Sequence, residues 1–153
     1  MRILEIEKIF ESEETLSKVL DLVTEEFERI DYHSGLMRQG ITTNSEEALN
    51  ALSELTGIYM SLKAVLAIAE TEKKNREIRK YNEIKKEIEN TGTKFVSASA
   101  EKEASSSVAN YRRLRNIIQA YTDSCEKAIS ILQSITKYLG EEIKLQGYNK
   151  GEK

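Results

Sequence analysis

The sequence predicts an all-α fold: a long antiparallel helical hairpin, coiled-coil-like, plus one N-terminal amphipathic helix. Three observations predict it. The 153 residues contain no proline, and because proline costs about 3 kcal/mol inside a helix and punctuates most loops, long helical stretches run uninterrupted. Apolar residues recur three and four positions apart over whole segments, which is the period of a helix face. Capping residues and glycines mark where those segments start and stop.

The first helix is expected over 12–34. Ser12 can cap it, Glu13 and Glu14 sit at the positive end of its dipole, and Leu16, Leu20, Val23, Phe27 and Ile30 form its stripe. Gly35 and Gly40 bracket the break that follows. The second helix is expected over 45–89, opening at Asn44 or Ser45 with Glu46 and Glu47 behind the cap. Its stripe is Leu49, Leu52, Leu55, Tyr59, Leu62, Leu66 and Ala69; the spacing dissolves in ETEKKNREIRK and resumes at Ile78, Tyr81, Ile84 (or Lys85) and Ile88. Only Gly57 would break it, so one helix of roughly 67 Å is expected, stopped by NTGT at 90–93. The third helix, over 96–146, carries the cleanest pattern. Tyr111, Leu114, Ile118, Tyr121, Cys125, Ala128, Leu132, Ile135 and Leu139 alternate three and four residues apart, the seam that helices in coiled contact require. Ile117, Ile129 and Ile131 widen it, which implies more than one neighbour. Gly140 perturbs its end, and 147–153 is expected to fray.

A short NTGT turn makes the second and third helices antiparallel, in a single helical domain over 1–153. With the turn centred near 92, Lys73 falls opposite Tyr111, and Arg76, Arg79 and Lys80 fall opposite 105–109. The first helix can cover only about half of so long a hairpin. Other subunits are expected to cover the rest of the apolar stripe, so a homo-oligomer is expected.

The net charge of −3 is unevenly spread. Residues 1–35 hold ten acids against four bases, whereas 70–116 hold twelve bases against eight acids. One cysteine makes no intramolecular disulfide, the first residues lack a signal-peptide pattern, and no stretch reads as a membrane span, so a cytoplasmic location without membrane contact is expected. No phosphate loop, HExxH or paired cysteines occur, so no enzyme activity, metal or cofactor is expected. His33, near the end of the first helix, and Cys125, in the seam, read as structural residues.

The constellation that bears on function is Lys73, Lys74, Arg76, Arg79, Lys80 and Tyr81 with Tyr111, Arg112, Arg113 and Arg115. Cations release counterions from phosphates, and tyrosine rings offer stacking faces to the bases of a single strand. Arginine also suits phosphate geometry better than lysine does. The interleaved Glu72, Glu77, Glu83 and Glu87 offer the same cations helix-surface partners, and Tyr111 also opens the seam.

The basic middle, the run KFVSASAEKEASSSVANYRRLRN at 94–116, and the single-cysteine helix AYTDSCEKAISILQSITKYL at 120–139 resemble the UvsY type of phage recombination mediator. The resemblance spans about 50–140, its most specific piece lies at 99–104, and it leaves 1–44 without a counterpart. It implies a small helical protein assembled as a ring that binds single-stranded DNA. Such proteins help load a recombinase onto strands covered by single-strand-binding protein, so either is an implied partner, in a host cytoplasm. It further implies that Lys73, Lys74, Arg76 and Arg79 contact the DNA backbone, with Arg112 and Arg113 as a second tier. Two other classes fit the residues. A coiled-coil adaptor would dock a basic partner on the acidic first helix, and a small phage-type inhibitor would hold a protein or nucleotide with Arg112, Arg113 and Arg115.

Overall fold

A computed structural model describes residues 3–10, 12–40 and 45–150, and every regular element in them is helical. In chain order these are α1 (Ile3–Phe10), a 3-10 turn (Glu13–Thr15), α2 (Leu16–Arg38), α3 (Ser45–Thr91), α4 (Ser97–Ser107) and α5 (Ala109–Lys150). The fold class is all-α.

The boundaries follow from local chemistry. Ser12 Oγ accepts a hydrogen bond from the Glu14 N–H at 3.3 Å, so the expected cap forms, but a 3-10 turn intervenes before α2. The Thr15 hydroxyl tightens that turn by reaching the Ile9 and Ser12 carbonyls at 2.5 and 2.8 Å. α2 does not stop at residue 34: it passes through Gly35 and ends before Gly40, whose φ of +69° is the left-handed conformation that glycine adopts without steric cost. α3 begins at Ser45, while Asn44 lies outside the described residues. It ends at Thr91, two residues past the expected 89, before Gly92 at φ +68°.

The expected third helix is two helices. Val108 leaves helical geometry at φ −105° and ψ 22°. The preceding Ser105, Ser106 and Ser107 are residues whose hydroxyls compete for backbone partners; Ser107 Oγ donates to the Ala104 carbonyl at 2.7 Å. The helix restarts with the Arg112 N–H on the Val108 carbonyl at 3.0 Å. α5 continues to Lys150, into the segment expected to fray, and 151–153 lie outside the described residues.

The chain divides into two compact units. The first comprises Met1–Leu22 and Ala64–Gln119. α1 lies ahead of the first expected helix, and its Ile6 and Phe10, four apart on one face, are fully buried. Val19, Val65, Leu66, Ala69, Leu114 and Ile118 are buried in the same unit. A smaller apolar group of Ile84, Ala100 and Ala104 packs with Tyr81, Ile88 and Phe95; the two alanines let α3 and α4 approach closely. Late α3 residues pair with early α4 residues and earlier α3 residues with α5, an order compatible with an antiparallel hairpin.

The second unit comprises Val23–Lys63 and Ala120–Lys153. Its buried side chains include Val23, Ile30, Ala48, Leu55, Leu62, Thr122, Cys125, Ala128 and Leu132. Phe27 stacks on Tyr121 with ring centroids 3.8 Å apart, and the Tyr121 hydroxyl donates to Asp31 Oδ2 at 3.1 Å. Burial, with that acceptor, raises the Tyr121 pKa.

The seam residues Tyr111, Leu114, Ile118, Cys125, Ala128 and Leu132 are all buried. In α3 the stripe is displaced: Leu49 and Ile78 are about half exposed, whereas Ala48 and Val65, outside the expected stripe, are fully buried. An ideal helix drifts against a strict heptad, and over so long a helix the inward face moves to adjacent positions. α3 is long and apolar enough by length and composition to cross a membrane; of its apolar side chains Leu55, Leu62, Val65, Leu66 and Ala69 are buried.

Candidate nucleic-acid interface

All ten residues of the basic constellation belong to the first unit, and α3, α4 and α5 give them three kinds of surroundings. Arg76, Arg79 and Lys80 share a hollow of about 220 Å³ with Glu83, Ser107, Val108 and Tyr111. This matches the expectation that these bases face 105–109. The register differs in one respect: Arg76, not Lys73, meets Tyr111, with its guanidinium 4.6 Å from the ring centroid. The connection runs over 92–96 rather than 90–93, so its centre comes later, and Arg76 and Glu70 meet partners on α5 later than the expected ones.

Several cations hold the fold together. Arg76 Nη2 donates to the Phe10 carbonyl at 2.9 Å, and the Tyr111 hydroxyl donates to the same carbonyl at 3.5 Å. Arg112 Nη2 donates to the Ser105 carbonyl at 2.7 Å and also reaches Ser105 Oγ, which satisfies an acceptor in the last turn of α4. Arg115 Nε lies 3.6 Å from Glu70 Oε1. Lys73 pairs with Glu77 at 3.0 Å and Lys80 with Glu83 at 3.7 Å. Lys73, with help from Ser105 and the nearby Arg112, holds the Glu77 carboxyl below its ordinary pKa. Glu77 and Glu83 therefore act as the sequence allowed, partnering cations along the helix.

Lys74, Arg79 and Arg113 differ from the rest. All three are exposed and make no ion pair or hydrogen bond among the described residues. Lys74 borders a wider hollow of about 570 Å³ with Ile78, Tyr81, Ala104, Ser105 and two acids, Glu77 and Glu101. Tyr81 is half-buried there, its ring edge-on to Phe95 at 5.9 Å and its hydroxyl 3.4 Å from Ser97 Oγ. Tyr111 is only 3% exposed, so its ring offers no free face in this conformation.

The second unit holds a polar cluster that sequence patterns did not reveal. Arg29 grips Glu54 with two contacts, Nε to Oε1 at 2.5 Å and Nη2 to Oε2 at 2.8 Å, and buried His33 places Nε2 2.8 Å from the same Oε2. The Arg29 hydrogen bond, then that of His33, brings the Glu54 carboxyl down to about 2 despite partial desolvation. Spacing from His33 back to Arg29 on one helix face was the available signal; the partner on α3 had none. Cys125 is buried with Sγ donating to the Leu55 carbonyl at 3.2 Å, and desolvation pushes its thiol up to about 11. Among the described residues no group of three or more His, Cys, Asp or Glu is arranged to hold a metal ion.

No family model, curated protein or solved structure matches the chain. The functional reading therefore rests on the arrangement of these side chains and on the residues quoted from the sequence.

Proposed function

We propose that the chain is a non-catalytic, sequence-independent single-stranded DNA-binding protein that works as a homo-oligomer in support of recombination or replication. The observation that carries this reading is the hollow beside Val108, where Arg76, Arg79 and Lys80 gather with Glu83 among the described residues. Arg79 has its guanidinium uncommitted among the described residues, and Lys74 and Arg113 add exposed ammonium and guanidinium groups in the same unit. Such groups on helix surfaces bind phosphate and leave base edges unread, so affinity without sequence preference is the chemistry they support. A recombinase or a single-strand-binding protein is the proposed partner class, in keeping with the UvsY resemblance.

Assembly rests on separate observations. Tyr138, Ile143 and Leu145 of α5 are each more than 60% exposed, and Met60 of α3 is 68% exposed. Apolar side chains left on long helices favour burial against further copies. Light scattering with and without a short poly-T oligomer tests both parts together. The expected result is a mass of several chains that binds poly-T and a mixed-sequence strand equally well. A mass of one chain would remove the assembly, and a strong preference for one sequence would remove the proposed mode of recognition.

A further inference from the structure

The N-terminal segment is strongly acidic: Glu5, Glu7, Glu11, Glu13 and Glu14 stand against Arg2 and Lys8 within the first fifteen residues. Within it, the end of α1 reaches the basic constellation. The C-terminal carbonyl of α1, on Phe10, accepts from both Arg76 and Tyr111, two residues of the candidate interface. That carbonyl belongs to the negative end of the α1 dipole, where a guanidinium is held favourably. The contact is anchored by Ile6 and Phe10, both fully buried, and by Thr15, whose hydroxyl occupies the neighbouring Ile9 carbonyl. α1 has eight residues, the shortest α-helix of this unit, and among the described side chains Ile6 and Phe10 are its fully buried anchors.

We propose that α1 is a built-in competitor of the polyanion, a strap that occupies Arg76 and Tyr111 until a nucleic-acid strand displaces it. This rests on the DNA-binding reading and assigns a regulatory element to the same site. A phosphate oxygen is a charged acceptor and forms a stronger hydrogen bond with guanidinium than a peptide carbonyl does, so a strand competes with the Phe10 carbonyl for Arg76. Burial of Ile6 and Phe10 opposes it and keeps the strap closed without DNA. Displacement uncovers the Tyr111 ring, now 3% exposed, as a stacking surface beside the Arg76 guanidinium. The strap thereby makes affinity a balance between an apolar anchor and an ionic exchange, and anything that captures the apolar face of α1 raises it.

The test uses the full chain carrying Ile6→Ser and Phe10→Ser, titrated against a labelled poly-T oligomer beside the wild type. The expected result is roughly tenfold tighter binding, the weight of one hydrogen bond to a charged group, with a plot of log affinity against log salt steeper by about 0.7, one added phosphate contact on a single strand. Adding Arg76→Ala to the released chain should cancel that steepening. A second measurement needs no substitution: hydrogen exchange of amides 3–10 in the wild type should accelerate when poly-T is added. Equal or weaker binding by the substituted chain, with exchange at 3–10 unchanged or slowed by DNA, overturns the strap and leaves the DNA-binding reading standing. Binding by neither chain overturns both.

Discussion

Replacing Lys74, Arg79 and Arg113 together by alanine should weaken poly-T binding roughly a hundredfold near 0.1 M salt, because each phosphate contact on a single strand contributes about 0.7 to the salt exponent and hence about fivefold. These three are chosen because they are exposed and uncommitted among the described residues. The matched comparison replaces Lys73, Arg112 and Arg115, which carry the same total charge but already serve Glu77, Ser105 and Glu70. That second variant should lose stability, about 1 kcal/mol or less for each exposed ion pair, while its salt exponent changes by less than one contact's worth. Fluorescence anisotropy across a salt series reads both, and circular dichroism checks that each variant is folded. Equal losses of salt exponent in the two variants would refute the division into binding and structural cations. No loss in the first would remove the interface.

Glu54, held down to about 2 from its ordinary 4.5, contributes stability that is present above about pH 4.5 and is lost as pH falls through 2. Glu54→Gln should therefore flatten the thermal-melting midpoint across that window, and a wild-type midpoint that is flat there would contradict the Arg29–Glu54–His33 arrangement. Two glycines should respond in opposite directions although a β-carbon at either meets nothing within 4 Å. Gly57→Ala, inside α3, should stabilise by about 0.5–1 kcal/mol, whereas Gly92→Ala, at φ +68°, should destabilise by about 1–2 kcal/mol; denaturant melts compare them. The Cys125 thiol, buried and pushed up to about 11, should react with an alkylating reagent at neutral pH only as fast as the protein opens, and fast labelling of the folded protein would count against its burial.

The all-α class was legible because a helix period sustained over tens of residues admits no other reading. The seam from Tyr111 to Leu132 is the best case, since each of its positions faces inward or half inward. The break at Val108 was not legible: serine and alanine are tolerated within helices, and only the hydroxyl of Ser107 and the side chain of Arg112 on nearby carbonyls decide the matter. α1 left a trace in the pair Ile6 and Phe10, too short to stand out from the acidic residues around it. At the candidate site, hairpin arithmetic placed Arg76, Arg79 and Lys80 opposite 105–109, and they do line a hollow with Ser107 and Val108, while the meeting of Arg76 with Tyr111 lay outside it. Which cations remain uncommitted did not follow from it. Arg76 and Arg112 are engaged by backbone carbonyls, and every residue carries a carbonyl, so no side-chain pattern announces such a partner. The same reason hid the docking of Phe10 beside Tyr111.

The most direct test of the account is the dependence of wild-type poly-T binding on salt. With Lys74, Arg79 and Arg113 all engaging phosphates, log affinity should fall with log salt at a slope of about −2 or steeper. A slope near zero, or no binding at micromolar protein in low salt, would contradict it.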